Sequence, residues 1–311
     1  MIPPFDFHEV FIAPWTEFAA SYGWIVLMGF LVFLACGLLG NFLILRRMAL
    51  VGDAISHSIL PGIVVAFLIG KSRGPFVMFL GAVAAGLLTT TLIEFIHRKT
   101  RVKQDAAIGI VFSTLFALGV LLISLFAGHV DLDADCVLYG DLAYAGVADR
   151  VVLFGIQTAP AEVLTMAAAA IAVLLFIALS YKELVVTCFD PVLATSIGIR
   201  PAIYHYALMA MLSIVVVSAF RAVGAILVVG AIILPGATAY LISHRLPAML
   251  LLSAIHAALS AIVGMHLGIW LQCSFAAAMA VAGAFFFAIA WAASVLAKTL
   301  NRAKALASLP A

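Results

Sequence analysis

Nine stretches of this chain, roughly 23–45, 50–70, 75–97, 106–128, 161–181, 201–220, 222–243, 247–269 and 275–297, are apolar and long enough to cross a bilayer. Crossing the hydrocarbon core takes about 20 apolar residues in a helix. In lipid, only helices and closed barrels satisfy every backbone N–H and C=O internally, and runs this long and continuous specify helices. The stretches at 201–220 and 222–243 abut, so eight or ten spans fit as well as nine. With 66% hydrophobic and 10% charged residues, the chain reads as an all-α polytopic bundle with no room for a soluble catalytic domain. The expected division is 1–22 as an extracytoplasmic N-terminal segment, 23–298 as the membrane domain and 299–311 as a cytoplasmic tail. The stretch MIPPFDFHEVFIAPWTEF lacks a basic n-region and does not read as a cleaved signal peptide. Cys36, Cys136, Cys188 and Cys273 are scattered, which indicates neither a disulfide framework nor a thiolate metal site.

Charge gives an orientation. With nine spans, twelve of the sixteen Lys and Arg residues fall on one side, among them Arg46, Arg47, Arg98, Lys182, Arg200, Arg245 and Lys298. The positive-inside rule makes that side cytoplasmic, with the N-terminus outside and the C-terminus in the cytoplasm. Nine carboxylates, including Asp6, Glu9, Glu17, Asp131, Asp133, Asp135 and Glu162, land outside, where a negative rim concentrates cations. The densest group is HVDLDADC, with His129, Asp131, Asp133, Asp135 and Cys136. Its spacing fits no EF-hand loop. It reads either as turn residues and a surface for a partner protein, or as an outer funnel that binds divalent cations weakly.

One apolar stretch, LVGDAISHSILPGIVVAFLIG at 50–70, holds Asp53 and His57. Positions i and i+4 share a helix face, about 5–6 Å apart, so both side chains can point at one spot, with Ser56 and Ser58 near. A charge inside a bilayer is costly unless it faces a cavity or a partner. One reading is structural: Asp53 pairs with Arg46 or Arg47, or with His57 alone. The other is functional. Pro61 and Gly62 interrupt the helix just beyond the pair, and helices broken beside polar residues are where transporters hold substrates. Carboxylate plus imidazole suits Mn, Fe or Zn and suits Cu(I) poorly. Two such helices, one per subunit of a dimer, would supply four protein ligands.

Other chemistries find little in the chain. His8–Glu9 is followed by no second histidine at metalloprotease spacing. Gly70-Lys71-Ser72 ends like a phosphate-binding loop, but Val65 stands where its first glycine belongs. Nothing points to nucleic acid. Independently, CFDPVLATSIGIRP reads as a short cytoplasmic helix capped by Asp190 with Pro191 at its first position. Flanked by Phe189 and Ile197, it is a sensible knob for a partner's groove.

Several segments, in order, resemble the membrane permeases of ABC-type manganese, zinc and iron importers over about residues 24–290: NFLILRRMALVGDAISHSILPG (41–62), KQDAAIGIVFSTLFALGVLL (103–122), VLYG (137–140), CFDPVLATSIGI (188–199) and YHYALMAMLSIVVVSAFRAVGAILVVGAIILPGATAYLI (204–242). WLQCSFAAAM departs from the pattern, lacking the Pro-Ser-Gly or Gly-Ser-Ser element of the resemblance near residues 275–280. The resemblance implies that Asp53 and His57 are transient ligands of the transported metal. It implies that Phe189, Asp190, Pro191, Ala194 and Gly198 contact the ATPase. It further implies two ATPase subunits per complex, an extracytoplasmic metal-binding protein, a second permease (identical or paralogous), a bacterial inner-membrane location and no permanently bound cofactor. Mn(II) ranks first as cargo, since GDAISHSILPG is closer to the manganese and iron branch, with Zn(II) or Fe(II) next. Zn(II) would nonetheless bind these ligands more tightly. An ion-coupled carrier without an ATPase is the alternative. An intramembrane metalloenzyme would lack a third ligand and a base. His256 and His266 are expected to be hydrogen-bonded structural residues, with Gly264 and Gly268 making a close helix contact.

Overall fold

The computed structural model describes residues 3–70, 75–126, 142–147, 150–153 and 156–307. Among them, nine helices or helix segments are long and apolar enough to cross a membrane. A π-helical turn, His8–Ile12, and α1, Ala13–Thr16, precede the bundle. It is then built from α2 (Ala19–Leu45), α3 (Val51–Ser58), α4 (Leu60–Gly70), α5 (Pro75–Lys99) and α6 (Gln104–Phe126). After a 3-10 turn, Leu142–Gly146, come β1 (Arg150–Leu153) and β2 (Ile156–Pro160), a bulged antiparallel pair outside the helices. The chain finishes with α7 (Ala161–Leu179), α8 (Tyr181–Phe189), α9 (Pro191–Ser196), α10 (Pro201–Ile242), α11 (Leu246–Leu271) and α12 (Phe275–Ala307).

α2 is the hub. It is apolar on all sides, the pattern of a helix surrounded by others, and Met28, Phe33, Leu39, Phe42 and Leu43 are wholly buried along it. Small residues decide what lies against it. A Cβ on Gly40 would collide with the Ile232 carbonyl oxygen of α10, and one on Gly37 would lie 2.9 Å from Pro235. Asn41 then ties α2 to α11, donating to Ser253 Oγ at 2.8 Å. α10 is really two helices, because Gly224 sits at φ 74 inside it. That conformation suits glycine alone, and it separates the two abutting spans read from the sequence.

The anticipated glycine contact on α11 is present. A Cβ on Gly264 would strike the Met279 backbone of α12, and one on Gly268 would strike Phe275. Both histidines of α11 are hydrogen-bonded. His256 Nε2 lies 3.2 Å from Gly283 O and its Nδ1 3.3 Å from Ser260 Oγ. His266 Nδ1 lies 2.7 Å from Val10 O, its Nε2 accepts from Trp15 Nε1, and Phe11 stacks on its ring. His266 thereby fastens the N-terminal segment across the end of the bundle. Leu80, Leu88, Leu121, Leu175 and Phe285 are exposed on the perimeter, as lipid-facing residues are.

Candidate metal site

α3 is short because a proline lies just beyond it. Pro61 has no N–H to return to the His57 carbonyl, so the helix stops at Ser58 and restarts at Leu60. Glycines on three sides press this broken segment into the bundle. Gly52 packs on Ile232 of α10, Gly86 of α5 faces Ile55, and a Cβ on Gly119 of α6 would lie 2.9 Å from Pro61 Cδ.

On this seat His57 Nε2 is 3.5 Å from Asp53 Oδ1, with the His57 side chain 29% and that of Asp53 39% exposed. Metal bonds to carboxylate oxygen and imidazole nitrogen run about 2.0–2.2 Å, so a cation shared by two atoms 3.5 Å apart subtends roughly 110° between them. A tetrahedral or loosely octahedral ion accepts that angle without moving either side chain. Among the described residues no ion pair links Asp53 to Arg46 or Arg47. Arg46 is engaged instead by Cys188, His205 and Thr187. The structural arginine pair is therefore not formed. Ser56 donates to Gly52 O on its own helix, and both Ser56 and Ser58 are buried, so neither hydroxyl joins the exposed pair.

The sequence reading missed Phe112 and Phe116 on α6. Their ring centroids lie 5.4 and 6.0 Å from that of the imidazole and pack against it. Their i,i+4 spacing was the available signal, but it is also the spacing of any lipid-facing stripe. Among the described residues no group of three or more His, Cys, Asp or Glu side chains is placed to hold a metal ion. Among the described residues, only Asp53 and His57 stand together as possible ligands at this seat. His129, Asp131, Asp133 and Asp135 lie outside the described residues.

The second candidate segment folds as its sequence reads. Asp190 caps α9, its Oδ1 accepting from Val192 N at 3.1 Å and Leu193 N at 2.9 Å, with Pro191 at the first position. Gly198, at φ 85, ends the turn while Ile199 N bonds back to Ala194 O, the six-to-one bond of a glycine C-cap. Phe189, Asp190, Pro191 and Gly198 are exposed, and so are Val192, Leu193 and Ile197. Ala194 alone of the five expected contacts is turned inward and wholly buried.

The geometry has close relatives. The chain is 42% identical over 270 residues to the manganese transport system membrane protein MntD of Bacillus subtilis (strain 168), covering 85% of this chain and 91% of that protein. It is 40% identical over 267 residues to the zinc transport system membrane protein TroD of Treponema pallidum (strain Nichols), covering 86% and 72%. The structure of PsaBC from Streptococcus pneumoniae in complex with Fab superposes with a TM-score of 0.73 at 32% identity, over 90% of this chain and 94% of that one. These likenesses give no support to a carrier that works without an ATPase. The profile of the ABC 3 transport family matches residues 22–294. The chain belongs to that family, as a transmembrane permease subunit and not an enzyme.

Proposed function

We propose that this chain is the permease of an ATP-driven importer that moves a divalent transition metal across the bacterial inner membrane by alternating access. The observation that carries this reading is the pair Asp53 and His57, partly exposed, joined by no arginine among the described residues and spaced for one shared cation on an interrupted helix. Relatives named for manganese and zinc transport supply the cargo class. Mn(II) is the first choice, with Zn(II) and Fe(II) behind it, because GDAISHSILPG resembles the manganese and iron branch, while affinity alone would rank Zn(II) above Mn(II) at these ligands. A second permease, identical or paralogous, completes the coordination sphere from its own copy of the broken helix.

The exposed apolar knob at 189–198 docks one of two ATPase subunits, and an extracytoplasmic binding protein delivers the metal to the opposite face. The N-terminus lies outside and the tail at 299–311 in the cytoplasm, as the distribution of Lys and Arg requires. The test is uptake of radioactive manganese by vesicles holding the permease pair and its ATPase, with zinc and iron as competitors. Uptake should require ATP. Equal uptake without ATP overturns the importer, and indifference to manganese with saturation by zinc overturns the choice of cargo.

A further inference from the structure

A second polar cluster, unused by the metal pair, joins four elements beside the end of α2. His205, in the first turns of α10, has its Nε2 3.4 Å from Glu94 Oε2 on α5 and its Nδ1 3.3 Å from Arg46 Nη1. Glu94 also accepts from Arg98 Nε, one turn along α5. Arg46 reaches the last turn of α8, donating from Nη2 to Thr187 Oγ1 and from Nε to Cys188 Sγ, each at 3.0 Å. A guanidinium only donates, so His205 Nδ1 is the acceptor and its Nε2 carries the proton toward Glu94. The side chains of Glu94 and His205 are only 10% and 13% exposed, and at such sites removing one member leaves another without its partner.

The chain of bonds has two informative ends. Thr187 and Cys188 directly precede Phe189 and Asp190, where the exposed knob begins. Arg46 directly precedes Arg47, whose φ of 58 turns the chain toward α3 and Asp53. Arg46 therefore links the segment leading into the docking knob to the turn leading into α3. Its rigid fork fixes partners in directions that a flexible amine could not hold together.

We propose that Arg46, His205 and Glu94 are positioning residues that pass ATPase-driven displacement of α8 and α9 to the turn leading into α3, and so to the metal pair. This rests on the docking role given above to residues 189–198. A passive staple at the same place would alter how much folded complex forms, but not how many ions move per ATP.

The complete complex, reconstituted in vesicles with its ATPase, decides between them when hydrolysis and manganese uptake are read on the same sample. His205→Phe keeps a ring and deletes both bonds; Thr187→Val keeps the shape and deletes one hydroxyl. With the ATPase still co-purifying, ions moved per ATP should fall roughly tenfold in His205→Phe and about threefold in Thr187→Val, the range expected for residues along a coupling network. The double variant should be no worse than His205→Phe, because both cut one chain of bonds. An unchanged ratio, normal uptake in either variant, or losses that multiply in the double variant would overturn the proposal. If His205→Phe does not fold, Thr187→Val decides alone. If the unaltered complex shows no ATP-dependent uptake, it is the importer reading that fails, and the coupling role falls with it.

Discussion

Asp53→Asn separates a ligand from a structural ion pair, and the structure sets the size of each effect. The carboxylate is 39% exposed, its partner is an imidazole 3.5 Å away, and no arginine among the described residues is bound to it. Ion pairs this open to solvent contribute about 0.2–1 kcal/mol, and Asn keeps the volume and a hydrogen-bonding oxygen. Stability should therefore fall by less than about 1 kcal/mol, moving the melting temperature by no more than about 2–4 °C. Had the aspartate been buried against Arg46, losing it would cost about 3–5 kcal/mol. Transport should respond very differently. Altering even an outer partner of a metal ligand costs about 10–100-fold, so if Asp53 is a ligand its loss should lower manganese uptake by roughly 100-fold or more. His57→Phe makes the same point from the other side, since a phenyl ring fits beside Phe112 and Phe116 and leaves no cavity. The measurements are manganese uptake in ATPase-bearing vesicles and thermal unfolding in detergent. Protein that is unstable, or that is stable and still transports, refutes the assignment.

Gly198→Ala meets nothing within 4 Å of its new Cβ, so its only effect is the left-handed backbone at φ 85, about 1 kcal/mol confined to the C-cap. Recovery of the ATPase in a pull-down should drop, and Asp190→Ala, which loses two capping bonds, should do the same. Gly40→Ala drives a methyl into the Ile232 carbonyl and should destabilise by about 1–3 kcal/mol or more, whereas Gly23→Ala, with open space around it, should leave the melting temperature level or raised. Replacing Asp131, Asp133 and Asp135 with Asn should slow uptake at low salt and matter little at physiological strength, where the Debye length is about 8 Å; equal loss at both would assign them to folding or ligation instead.

What could be read from the chain divides by the range of the interactions involved. The spans follow from local composition, because hydrocarbon accepts nothing else, and the α9 cap is local too, because Asp190 and Pro191 act on neighbours two or three residues away. The pair Asp53 and His57 was visible because both residues share one turn. The same logic of costly polar groups in apolar helices applied to Glu94 and His205, but they stand 111 positions apart, and periodicity says nothing about which lone polar residue meets which. Nor did the sequence indicate that Phe11 would stack on His266, or that Arg46 would turn to α8 rather than to Asp53. Pairings of that range are properties of the packed bundle.

The glycine contacts also determine how the bundle can deform. α2, α10, α11 and α12 touch through Gly40 and Gly264, backbone against backbone. α4 and α5 touch likewise, Gly62 and Gly81 each lying against the other's carbonyl. Such seams are stiff, since no rotamer can yield to absorb a shift. The seams of α3 are different in kind: Gly52 meets the tip of Ile232, and Gly86 meets the side chain of Ile55. A load applied to this molecule is therefore taken up last within the two slabs and first along the short helix between them, which places the compliant joint at the helix bearing Asp53 and His57.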